Sequence, residues 1–186
     1  MDEISALFAG HDGSSAEIRD CAILELLYSS GMRLSELAVL DVDDPDYRES
    51  RIVVTGKGNK QRIVTIGRMA SRALEQWLRV RPDMAATGEQ ALFVNERGGR
   101  LSPRGIQYRL DRWARKCGLG RRLHPHMLRH SFASHILESS GDLRAVQEML
   151  GHSDISTTQI YIHLDFQQLA RVHDKAHPRS KKGRKS

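Results

Sequence analysis

Two β-branched runs constrain the architecture most. Ile52-Val53-Val54-Thr55 and Arg62-Ile63-Val64-Thr65-Ile66 flank Gly56-Lys57-Gly58-Asn59-Lys60, whose glycines suit a tight turn. They predict one antiparallel hairpin, and Ala91-Leu92-Phe93-Val94 is expected to add a short strand. Almost everywhere else apolar residues recur three and four apart, as on the buried side of a helix. The expected fold class is therefore mainly α with a small antiparallel β-sheet (α+β). At 186 residues the chain can bury a substantial core, and no apolar run reaches the ~18–20 residues of a membrane helix.

The helical pattern is punctuated clearly. Ala16–Ser29 reads as an amphipathic helix with Ile18, Cys21, Ala22, Leu24, Leu27 and Tyr28 as its apolar residues, ended or bent at Gly31. Arg33-Leu34-Ser35-Glu36-Leu37 opens a short second helix, and Asp41–Ser50 is polar and turn-rich. Arg68–Arg79 is expected to be helical, anchored by Met69, Leu74, Trp77 and Leu78. Ser102-Pro103 caps the next helix, which buries Ile106, Leu110, Trp113, Ala114 and Cys117. A helix from Pro125 to about Leu137 buries Leu128, Phe132 and Ile136, and another is built on Leu143, Val146 and Leu150 with Gly151 as its C-cap. The spacings Ser156/Gln159 and Asp165/Gln168 start two more. Cys21 and Cys117 fall in apolar stripes and are expected to be reduced core residues of an intracellular, cytoplasmic protein.

Charge is unevenly spread. The net charge is +6, and residues 175–186 alone hold six Lys or Arg and no acid, so this tail is expected to be disordered. Residues 1–50 hold twelve carboxylates against three arginines, while residues 97–130 hold ten basic side chains against Asp111 alone. Such asymmetry fits a surface that faces a polyanion, although a merely solvated cationic face has the same composition. On the helix that begins at Ser102, Arg104, Tyr108, Arg112 and Arg115 lie opposite the apolar stripe, which makes them candidate DNA contacts together with Lys60 in the hairpin turn.

The residues with chemical potential cluster in 124–161: His126, Arg129 and His130, then His152, then Tyr161. No acid suited to a hydrolase triad sits among them. A phosphodiester is anionic and has a poor leaving group, so its cleavage needs positive donors, a nucleophile and an acid. Arg33 and Arg129 can each give paired N–H bonds to phosphate oxygens, with His152 as a third donor. Tyr161 can attack, His126 can exchange its proton, and Lys57 can protonate the departing 5′ oxygen. A tyrosyl phosphate conserves the energy of the broken bond, so no nucleotide is needed, and no G-x-x-x-x-G-K-[ST] sequence occurs. Each residue has a plainer reading when taken alone. Arg33 could simply pair with Glu36, and Lys57 could solubilise a turn. His126 and His130 have the i, i+4 spacing of zinc ligands, but the glutamate of H-E-x-x-H is absent, Arg129 intervenes and no third ligand is evident. No cofactor or metal is expected.

Together, Gly31-x-Arg33-x-Ser35-Glu36-Leu37, Gly56-Lys57-Gly58, His126-x-x-Arg129-His130, Leu150-Gly151-His152 and Tyr161 resemble the signature of the tyrosine recombinase (phage integrase) family. The stretches 138–144 and 156–166 resemble its branch that resolves chromosome dimers. The resemblance covers about residues 16–180. It implies a catalytic domain over 16–174 that grips one side of duplex DNA, preceded by a linker remnant at 1–15 and followed by the basic tail at 175–186. It implies site-specific cleavage and rejoining through a 3′-phosphotyrosyl intermediate, with Arg33, Lys57, His126, Arg129, His152 and Tyr161 as the catalytic set. It further implies a synaptic tetramer with a sister recombinase, XerD, at a dif-like site, under control of the translocase FtsK, and a last helix that docks into a neighbouring subunit. The family's helical N-terminal arm, which completes a clamp on DNA, is expected to be missing from this chain. Two other functions stay open: a non-enzymatic DNA-binding protein with a helix-turn-helix-like element at 125–150, and a type IB topoisomerase-like relaxase.

Overall fold

The computed structural model describes residues 7–8, 13–56, 59, 61–120 and 122–140, with side chains to residue 134. Five α-helices, a 3-10 turn at Arg81–Asp83 and one three-stranded sheet are present among them: α1 (Ser15–Ser30), α2 (Leu34–Ala38), β1 (Pro45–Asp46), β2 (Arg51–Thr55), β3 (Gln61–Thr65), α3 (Arg68–Val80), α4 (Pro103–Lys116) and α5 (Pro125–Ser140). The sheet is antiparallel in the order β1-β2-β3, with Ile52 opposite Val64 and Val54 opposite Arg62. The mainly helical α+β class expected from the sequence is the one observed.

Helix α1 is the hub. Ser14 caps it by accepting the Glu17 N–H, and Gly31 ends it at φ 57°, a left-handed turn that glycine adopts without a Cβ clash. Amphipathicity was expected here, but every residue from Arg19 to Ser30 is buried. The reason is position: α3, α4 and α5 all pack against α1 and leave it no solvent side. Its polar residues are absorbed locally or by charge. Ser30 Oγ donates to the Leu26 carbonyl at 2.6 Å. Asp20 lies between Arg19, at 2.9 Å, and Arg109 of α4, at 2.6 Å.

Leu74 and Trp77 anchor α3 as expected, helped by Ala70 and Ala73, while Met69 and Leu78 are only half-buried. Trp77 stacks on Phe93 and donates its indole N–H to the Leu92 carbonyl at 2.8 Å. The segment around Phe93 differs from expectation. Ala91–Val94 forms no strand, only isolated bridges to Asp41 and Arg100. Arg81 occupies neighbouring carbonyls instead, with its guanidinium on those of Glu89 and Ala91. The stretch 41–50, expected to be polar and turn-rich, also contributes the two-residue strand β1. Part of the stretch expected to be a linker is core. Leu7 is fully buried, Phe8 meets Tyr28 edge-on, and the Trp113 indole donates to the Leu7 carbonyl at 2.8 Å. Cys21 is buried, Cys117 half-buried, and both are free thiols. The helices expected beyond residue 141 and the basic tail lie outside the described residues.

Candidate active site

Three chain segments meet at one cleft. The turn after α1 brings Met32 and Arg33, α4 brings Gln107, and the start of α5 brings His124, His126 and Arg129 around a volume of about 200 Å³. The α1–α2 turn is tight because Gly31 takes a left-handed φ. Pro125 begins α5, and the Met127 N–H returns to the His124 carbonyl at 2.9 Å, closing the first turn. His126 and Arg129, three residues apart, then share one helical face and both line the cleft. Gln107 ties α4 to the segment before α5 by donating to the Leu123 carbonyl at 2.9 Å.

Arg33 holds the N-terminal edge of α2, as expected. Its backbone N–H donates to Glu36 Oε2 at 2.7 Å. Its guanidinium donates to Glu36 Oε1 at 3.1 Å and is 45 % exposed. The pairing with Glu36 and a place in the cleft are therefore both realised. Arg129 donates to the Gly31 carbonyl. Burial pushes its pKa down to about 10; the nearby charges of Arg62 and Arg33 add to the depression, and Glu36 opposes it.

Sequence reasoning missed Arg62. It lies on β3, and its Nη2 reaches Glu36 Oε2 at 2.6 Å. A signal for it existed: Arg62 shares the inward face of its strand with buried Val64 and stands opposite buried Val54. An inward-facing arginine in a hairpin needs a buried partner, and Glu36 is one. Arg33 and Arg62 thus share one carboxylate, whose charge also reaches Arg129, and the surplus of positive charge suits an anion.

The other expected residues divide. Arg104, Tyr108, Arg112 and Arg115 are all exposed on α4, a continuous cationic face carrying one aromatic ring. His130 is exposed and is not part of the cleft lining. Among the described residues no group of three potential metal ligands occurs. Lys57, Lys60, His152 and Tyr161 lie outside the described residues.

The chain matches the model of the phage integrase family over residues 1–168. It is 57 % identical over 169 residues to the tyrosine recombinase XerC of Haemophilus ducreyi, covering 91 % of this chain and 55 % of that protein. It is 54 % identical over 182 residues to XerC of Shewanella sp. strain ANA-3, covering 98 % of this chain and 60 % of the relative. The chain therefore spans between a half and two thirds of the length of these curated relatives. Among solved structures, the XerA recombinase superposes with a TM-score of 0.72 at 36 % identity, over 92 % of this chain and 63 % of that one. XerH, a site-specific recombinase bound to its difH substrate in a pre-cleavage complex, superposes with a TM-score of 0.68 at 28 % identity, over 92 % of this chain and 50 % of that one. The fold, the arginine-rich cleft and these likenesses lead to one assignment: the chain belongs to the phage integrase family, the tyrosine recombinases, and within it resembles XerC.

Proposed function

We propose that the chain is the catalytic part of a site-specific DNA recombinase that cleaves and rejoins duplex DNA through a 3′-phosphotyrosyl intermediate. One observation carries the reading. Arg33, His126 and Arg129 line a single cleft in which Arg129 is held charged against burial and against two neighbouring arginines. A phosphodiester in that cleft supplies the negative charge that the site lacks. Arg33 and Arg129 grip the non-bridging oxygens, and His152 adds a donor. Tyr161 attacks phosphorus as the 5′ oxygen departs with a proton from Lys57. His126 takes the tyrosine proton. Reversal with a new 5′ hydroxyl joins the exchanged strands.

The catalytic domain covers 16–174 and takes in the core residues Leu7 and Phe8, and the tail 175–186 is an appendage. The exposed face of α4, with Arg104, Tyr108, Arg112 and Arg115, contacts the DNA backbone, and Lys60 adds a cation from the hairpin. By likeness to XerC the target is a dif-like site, the sister subunit is XerD, FtsK controls the pair, and the outcome is chromosome-dimer resolution before cell division. Among the described residues no helix is long and apolar enough to cross a membrane, and the reading places the protein in the cytoplasm.

The test is a covalent protein–DNA adduct on a nicked dif-like duplex, resolved on a denaturing gel. The adduct is expected in EDTA and without nucleotide, and Tyr161→Phe is expected to abolish it while duplex affinity stays within about threefold. An undiminished adduct in that variant removes Tyr161 from its role. Loss of cleavage in EDTA with recovery on zinc would return His126 and His130 to the metal reading. Binding without any adduct favours the non-enzymatic DNA-binding alternative, and relaxation without strand exchange between two sites favours the relaxase.

A further inference from the structure

A buried ion pair behind the cleft is not explained by phosphate binding alone. Glu36 and Arg62 meet at 2.6 Å with side chains only 2 % and 11 % exposed. Arg62 is not among the residues lining the cleft. Glu36 accepts from Arg33 twice, from its backbone N–H and from its guanidinium, and it also accepts from Arg62 on β3. Without the bond from Arg62 the carboxylate could follow Arg33, which is 45 % exposed and has many rotamers. With it, Glu36 becomes a fixed post that presents Arg33 to the cleft.

Cost supports the same conclusion. After burial, the charge of Arg62 opposes that of Arg129 most strongly, ahead of the charge of Arg33. An arginine that served packing alone would sit more favourably away from two other guanidiniums. Here the unfavourable charge falls beside the place where an anion would relieve it. We propose that Arg62 is a positioning residue: by holding Glu36 it orients Arg33 to grip an anionic phosphate beside Arg129, without touching the phosphate itself. The inference rests on reading the cleft as a phosphodiester site and adds a residue to that site's support. Arg62 shares a hairpin with Lys57, so the rival role is placement of that proton donor.

The experiment is a double-mutant cycle on the full chain with Arg62→Ala, Arg62→Lys, Arg33→Ala and the doubles. Three quantities are read: the single-turnover rate of adduct formation on the nicked duplex, the duplex Kd, and the rise in urea midpoint caused by sulfate. Arg62→Ala is expected to slow adduct formation by about 10- to 100-fold, with duplex Kd within about threefold, as misplacement of a catalytic donor does. Arg62→Lys, which still pairs with Glu36, is expected to recover most of the rate. Once Arg33 is gone, loss of Arg62 should cost nothing further, whereas a residue that only supports folding would give additive losses. The slowing should persist on a substrate with sulfur at the bridging 5′ position, where the thiolate departs without a proton. Additive losses, or recovery on the sulfur substrate, would overturn the proposal, the latter by transferring Arg62 to the Lys57 step. If Arg62→Ala fails to fold, Arg62→Lys and its double with Arg33→Ala carry the same cycle. If the wild type forms no adduct, the recombinase reading fails. The cycle read on sulfate then still decides for Arg62: coupled losses support its role and additive losses overturn it.

Discussion

Arg129 holds a charge that its surroundings resist. Its folded pKa of about 10 lies below the ordinary arginine value, so the fold disfavours the protonated form. For a base shifted this way the penalty is present at neutral pH and is relieved as pH rises through about 10 toward the ordinary arginine value. A bound anion opposes the shift by favouring the charged form. Sulfate is therefore expected to raise the urea midpoint of the wild type at pH 7 more than chloride at equal ionic strength. That advantage should shrink as pH passes about 10, and Arg129→Ala should lose its pH-dependent part. Arg33→Ala and Arg129→Ala are each expected to slow adduct formation by about 10²–10³ at similar duplex affinity, the usual cost of one preorganised donor. Single-turnover rates check this, and cleavage within about threefold of wild type for either variant would mean that the phosphate is held elsewhere. Sequence order sufficed to nominate Arg33, His126 and Arg129 because their spacing is local or set by motif. It did not show Glu36 shared between Arg33 and Arg62, because 26 residues separate that ion pair and only the inward register of β3 creates it.

Elements follow the same division. The start of α4 and the end of α1 could be read from Ser102-Pro103 and Gly31, since capping depends on neighbours in the chain. The total burial of α1 could not, since it depends on three later helices. Gly31 joins both levels: its φ is 57°, its N–H donates to the Leu27 carbonyl, and its own carbonyl accepts from Arg129. Gly31→Ala is expected to cost about 1–2 kcal/mol for a left-handed residue with a Cβ. It should also slow cleavage, because the anchor of Arg129 moves; urea denaturation and adduct formation measure the two effects. On α4 the apolar stripe and the cationic face were both legible from a 3.6-residue period. Replacing Arg104, Arg112 and Arg115 with Ala should leave stability nearly unchanged, because all three are exposed. Duplex binding should weaken, and the log–log salt slope should fall by about 0.9 for each phosphate that is no longer neutralised. An unchanged slope would identify this face as solvated charge only.

At the scale of the molecule, one buried polar network ties together parts of the chain that sequence reading kept separate. Asp20 of α1 accepts from Arg19 beside it and from Arg109, which is 89 residues away on α4. Arg19 continues to the Val94 carbonyl at 2.9 Å, and Arg109 continues to Glu96 at 3.4 Å. Arg109 looked like one more cation of a basic region, yet it faces the core at 8 % exposure. Its inward direction follows from the helical phase it shares with Ile106 and Trp113, both buried. The network crosslinks α1, α4 and the irregular segment at 91–101, where no strand pairing does so. It holds the hub helix to the helix that carries the cationic face. Removing only the acid leaves two nearly enclosed guanidiniums without their shared counter-charge. Asp20→Ala is therefore expected to destabilise the fold by about 3–5 kcal/mol, the range for a broken buried ion pair. Asp20→Asn keeps the shape and one acceptor but not the charge, so it should fall between the wild type and Asp20→Ala. Urea denaturation at pH 7 provides the comparison. Equal midpoints for Asp20→Ala and the wild type would mean that Arg19 and Arg109 find other partners, and that apolar packing alone holds α1 and α4 together.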